Sequence, residues 1–245
     1  MNEPAIEVQE ASLAYRLSHS KAGTAKEFAI QLLKRQVRFE KLWALRDVSF
    51  TVGKGEVFGV VGPNGAGKST LMKMLARVLP PTEGRIVVHG SVAPMIELGA
   101  GFNTELTGFE NIVMYGTLLG RNPQFMRERA GSIAEWADLT DYLDVPIRSY
   151  STGMLARLGF SVATDTEPDV LIVDEVLAVG DAAFQIRSFE RIEKMIAEGT
   201  SVVLVSHNLN MVRKIADRAI WLDHGKVLGA GDPETVVGEY EATVT

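Results

Sequence analysis

Three short, nearly continuous apolar runs stand out along the chain: Val57 to Val61, Val170 to Val173 and Val202 to Val205. Runs of this length, rich in β-branched residues, predict strands buried on both faces, as in a parallel sheet covered by helices. Each is followed by polar residues: Gly62-Pro63-Asn64, Asp174-Glu175 and Ser206-His207. Ligands of open parallel sheets bind beyond the carboxyl ends of the strands, so the three polar ends predict one shared crevice. Ile6 to Tyr15 and Ala44 to Val52 alternate more strictly between apolar and polar positions, which predicts a half-exposed antiparallel flank. Between 103 and 166 the spacing becomes helical (Ile112, Tyr115, Leu118, Leu119; then Ile133, Trp136, Leu139), with Pro123 and Pro146 as punctuation. The predicted fold class is therefore α/β, with a mainly parallel sheet, an antiparallel β flank and an inserted helical subdomain. The chain reads as one domain, 1–245: 1–102 and 167–245 form the core with its flank, and 103–166 the helical insertion.

Gly62-Pro63-Asn64-Gly65-Ala66-Gly67-Lys68-Ser69-Thr70 matches G-x-x-x-x-G-K-[ST]. It follows a predicted strand and opens a predicted helix with apolar positions at Leu71, Leu75, Val78 and Leu79. Glycines let successive backbone N–H groups curl around phosphate oxygens, and a helix start adds about half a positive charge. Lys68 brings a cation to the β- and γ-phosphates, and the Ser69 hydroxyl suits Mg²⁺, which prefers oxygen ligands. A Gly-rich turn beside an incidental Lys-Ser is the plain alternative, but it would not require both the strand and the helix. The cofactors expected are thus a nucleoside triphosphate, taken as ATP, and Mg²⁺. Asp174 is placed to hold the Mg²⁺ and Glu175 to polarise the attacking water. Solvated surface acids are the alternative reading of that pair. His207, at the third strand end, is a candidate γ-phosphate contact.

Tyr150-Ser151-Thr152-Gly153-Met154, followed by Arg157-Leu158, narrows the choice among P-loop NTPases. It resembles the ABC signature in the variant found in ATPase subunits of polysaccharide exporters. Physically, Ser151 is a good N-cap and Gly153 exposes backbone N–H groups, so a helix start would face an anion. The likeness extends over nearly the whole chain. Val170 to Asp181 resembles that family's Walker B and D-loop, and Val205-Ser206-His207-Asn208 its H-loop. Glu97 to Phe102, then Glu105 to Gly108 and Glu110-Asn111, resemble its link into the helical subdomain, and Tyr15 falls where the family has an adenine-stacking aromatic. Thr152 departs from the usual first signature glycine. Glu97 stands roughly where a glutamine is expected, and a carboxylate cannot donate as an amide does; a metal-sensing role carried over to Glu97 rests on that weak match.

The resemblance implies an ABC cassette that works as a homodimer, with two ATP molecules between the subunits and with Ser151, Gly153 and Asp181 acting on the nucleotide of the partner. It implies an ATP-hydrolysing subunit that powers export of a lipid-linked polysaccharide or teichoic acid. Two integral membrane permease subunits would hold it at the cytoplasmic face of the bacterial membrane. The alternatives are an ABC ATPase of a lipid or drug exporter, or a soluble ABC protein acting as a mechanical clamp.

Composition sharpens this picture. The 245 residues carry a net charge of −6 and no cysteine, which removes disulfides and thiolate chemistry and argues against general nucleic-acid binding. No apolar stretch reaches the roughly 18 residues of a membrane span, and the N-terminus lacks a signal pattern, so the expected setting is cytosolic. The charge is uneven: residues 16–42 hold seven basic and two acidic side chains, a net +5 against −11 for the rest. Within them Phe28, Ala29, Ile30, Leu32, Leu33, Val37 and Phe39 fill one side of a predicted helix and Lys34, Arg35 and Arg38 the other. This pattern fits either an ordinary surface helix tucked on the sheet or a basic amphipathic insertion that docks on a membrane partner and faces lipid phosphates, and the expectation adopted is the second.

Overall fold

The structure, a computed structural model, describes residues 4–18, 39–96, 99, 101–174 and 180–244. In chain order they form β1 (Ile6–Ser18), β2 (Phe39–Val52), β3 (Val57–Val61), α1 (Lys68–Leu75), β4 (Glu83–Val88) and β5 (Val92–Met95). The helices α2 (Gly108–Leu118), α3 (Pro123–Trp136) and α4 (Thr152–Asp165) follow. The chain then continues through β6 (Val170–Val173), α5 (Ala182–Ala197), β7 (Ser201–Val205), α6 (Leu209–Ile215), β8 (Arg218–Asp223), β9 (Lys226–Gly231) and α7 (Pro233–Val244).

The apolar runs become the centre of a six-stranded sheet of order β5-β6-β7-β3-β8-β9, parallel from β5 to β8 and closed by the antiparallel β9. Every residue of β3, β6 and β7 is buried. Alternation still divides them: Phe58, Val60, Ile172 and Val203 join a core with Leu45, Val48 and Val52 of β2, under the antiparallel sheet β2-β1-β4. Val57, Val61, Leu171 and Val202 point the other way, to Phe160, Phe184 and Val212. A third cluster, built on Ile112, Tyr115, Met126, Ile133 and Leu158, forms the core of the helical segment. Helix α4 belongs to two of these: Leu158 and Val162 face the helices, Phe160 and Ala163 the sheet side.

Several residues of the link into the helical segment serve local structure. Thr107 and Glu110 form a reciprocal capping box at the start of α2, with Thr107 Oγ1 accepting from the Glu110 amide at 3.2 Å and the Glu110 carboxylate from the Thr107 amide at 2.8 Å. The buried Asn111 amide donates to the carbonyls of Asn103, Leu106 and Thr107.

The ends of the 16–42 stretch correct one expectation. Arg16, Leu17 and Ser18 pair with Lys41, Glu40 and Phe39 in the β1–β2 ladder, so Phe39 belongs to a strand and not to a helical face. Helical spacing is a local signal, and it cannot register a ladder that simply continues outward from Tyr15 and Ala44. The rest of the predicted helix, 19–38, lies outside the described residues.

Candidate functional site

The loop between β3 and α1 owes its shape to two close approaches. Gly62 has φ 146°, and a Cβ there would lie 2.0 Å from the Leu222 carbonyl oxygen. Gly67 has φ 106°, with the Ala44 carbonyl oxygen 2.7 Å from the same imagined atom. Both positions demand glycine. Inside the loop the buried Lys68 ammonium donates to the carbonyls of Gly62 (2.7 Å) and Pro63 (2.9 Å). Helix α1 begins at Gly67 with no side-chain cap, which leaves its first N–H groups to be satisfied from outside. A buried cation, an uncapped helix start and the open surface around Gly65 fit a phosphate chain.

The cleft over this loop measures about 580 Å³, and its walls bring together Tyr15, Asn64, Gly65, Gly67, Lys68, Ser69, Thr70, Asp174 and His207. The sheet order explains the meeting, since β6, β7 and β3 are neighbours and their ends deliver Asp174, His207 and the loop. Gly62, Pro63 and Ala66 lie outside the cleft's walls: Gly62 packs against Leu222, and the Ala66 amide donates to the Pro63 carbonyl at 3.2 Å. Glu175, directly after Asp174, and Glu97 lie outside the described residues. Among the described residues no three His, Asp or Glu groups gather as a metal site. Trp43 and His224 are among the wall residues that sequence reasoning did not assign to the site. Trp43 sits opposite Ala14 in the hairpin, beside Tyr15, with the Arg46 guanidinium 5.1 Å from its ring centre. An indole in a short, exposed, charged run was the available signal. His224 follows β8 in the turn before β9 and is reached only through the tertiary fold.

Ser151, Gly153 and Asp181 line a different groove, of about 420 Å³. Ser151 Oγ caps α4 by accepting from the Met154 amide at 3.2 Å. Thr152 is the first residue of that helix, an ordinary helical position that accommodates its Cβ. A Cβ on Gly153 would meet nothing closer than Ser151 Oγ, at 3.8 Å. Asp181 caps α5, accepting from the Phe184 amide at 2.9 Å. That bond, aided by Arg157, holds its carboxyl below the usual range. Tyr150, by contrast, is packed inside: its hydroxyl donates to the Tyr142 carbonyl at 2.6 Å, and burial pushes its pKa up. The predicted site residues that line an opening thus fall into two sets on one chain, one in each opening.

A phosphate-binding loop on a parallel sheet, with an acidic strand end beside it and a capped helix start elsewhere on an inserted helical segment, defines a nucleotide-binding P-loop cassette. The ABC transporter family model matches residues 45–178, and the chain belongs to the ABC transporter family as one of its ATPases. It is 44% identical over 244 residues to the O-antigen export system ATP-binding protein RfbB of Klebsiella pneumoniae, across 97% of this chain and 98% of that protein. To the teichoic acids export ATP-binding protein TagH of Listeria innocua it is 36% identical over 239 residues, across 98% of this chain and 70% of that one. The fold matches the dimeric structure of the ATP-binding cassette MJ0796 in a post-hydrolysis state with ADP and Pi. The TM-score is 0.73 at 19% identity, over 93% of this chain and 98% of that one.

Proposed function

We propose that this chain is the ATP-hydrolysing subunit of an exporter that carries a lipid-linked polysaccharide or teichoic acid across the cytoplasmic membrane. The observation that carries this reading is the near-full-length similarity to an O-antigen export ATP-binding protein, joined to a cleft whose walls suit ATP. Among the described residues no helix is long and apolar enough to cross a membrane. In this reading the membrane path is supplied by two permease subunits, and the cassette sits peripherally on them.

Lys68 and the open start of α1 bind the β- and γ-phosphates, and Tyr15, with Trp43 beside it, offers a face to the adenine. Ser69 and Asp174 would supply oxygens for Mg²⁺, with Glu97 as a further candidate from the resemblance alone. When bound, the cation would supply charge neutralisation for the transferred phosphoryl group. Glu175 accepts a proton from the attacking water and His207 orients toward the γ-phosphate. Ser151, Gly153 and Asp181 serve the nucleotide of a second copy, so hydrolysis requires a homodimer. The phosphate-binding cleft and the groove lined by Ser151, Gly153 and Asp181 are separate openings on one chain, which supports this.

Glu175→Gln tests the reading. ATP binding is expected to persist while hydrolysis falls at least about a hundredfold, and in cells the glycan is expected to remain on its lipid carrier inside. Near-normal turnover in this variant would remove Glu175 as the base, and normal surface glycan would remove the export role.

A further inference from the structure

Asp138 holds an unusual backbone conformation. It follows the C-terminus of α3 with φ 57°, a left-handed position where glycine is favoured after a helix. Arg157, on the second turn of α4, donates to Asp138 at 3.3 Å and to Asp181 at 2.6 Å. Arg187 of α5 donates to Asp138 as well. The Arg157 guanidinium also lies 5.2 Å over the ring of the fully buried Phe184. Gly180 accommodates this stacking: with φ 77°, a Cβ there would press on Phe184 at 3.1 Å and on Arg157 Nε at 3.3 Å.

One guanidinium therefore joins three parts of the molecule: the end of α3, the helix capped by Ser151, and the cap of α5. We propose that Arg157 is a positioning residue that fixes Asp181 relative to the Ser151–Gly153 turn. Asp138 serves it by orienting the guanidinium from the helical segment. Movement of that segment then shifts both groups together. The inference rests on the reading that this groove serves the nucleotide of a second copy. The four charges form one network, with the carboxylates of Asp138 and Asp181 half or more exposed and the Arg157 side chain largely covered, an arrangement that fixes the direction of the guanidinium.

The test is Asp138→Gly in the full chain. Glycine suits the backbone, so the thermal midpoint is expected to hold or rise while the carboxylate is lost. The kcat for ATP is expected to fall about fivefold or more, with the affinity of the subunit for ATP unchanged. Asp138→Asn, which keeps size and tolerates the same conformation, should show the same loss. Wild-type kcat in both variants would overturn the proposal, as would a kcat loss that appears only with a lowered midpoint. Glu175→Gln, measured alongside, separates the two levels. If it abolishes hydrolysis while both Asp138 variants turn over normally, only the coupling fails; if it hydrolyses normally, the coupling falls with the reading beneath it.

Discussion

The loop from Gly62 to Thr70 and the turn from Ser151 to Gly153 both open a helix, but their glycines answer to different constraints. Gly62 and Gly67 are pressed by the backbone of Leu222 and Ala44, so the chain's own packing excludes any side chain. Gly153 has open space around it and an ordinary helical backbone, and alanine would suit the helix better. Lys68 is buried among loop carbonyls, whereas Asp181 has an exposed side chain. A residue type that its own fold does not demand points to a demand from outside the chain. The first region is specified from within, and the second makes sense as a surface for a second nucleotide.

Substitutions can break this contrast. Gly153→Asp carries the largest expected effect: hydrolysis falls at least about a hundredfold as a carboxylate repels phosphate, while an acidic residue near a helix start preserves stability. Full turnover, measured by phosphate release, would show that no nucleotide approaches this turn. Next comes Gly62→Ala, expected to lower unfolding free energy by about 3 kcal/mol, since the new Cβ collides with fixed backbone. Denaturant titration checks it, and a loss below about 0.5 kcal/mol would place the constraint elsewhere. The smallest effect belongs to Gly153→Ala, expected to gain up to about 1 kcal/mol of stability while still slowing hydrolysis.

Much of the core was legible because its signals are local. Val57 to Val61 and Val170 to Val173 are β3 and β6 to the residue, since a strand buried on both faces leaves an unbroken apolar run. The phosphate-binding motif was equally visible because its function lies in backbone geometry that glycine spacing records. Other parts depend on distant partners. The β1–β2 hairpin continues to Ser18 and Phe39 through cross-strand pairing, which helical periodicity misrepresents. Trp43 and His224 reach the cleft only after the sheets have stacked. Asp138 belongs to no sequence motif, and only the packing of α3, α4 and α5 gives it two arginines.

The central claim is that each chain carries two incomplete half-sites that a second copy completes. Light scattering of Glu175→Gln with and without Mg²⁺ and ATP tests it most directly, with Gly153→Asp added in the same chain as the control. The expected mass is twice the 26.7 kDa of one chain when ATP is bound, and that of a single chain without ATP or with Gly153→Asp. An ATP-saturated Glu175→Gln protein that stays at the mass of one chain would contradict the account.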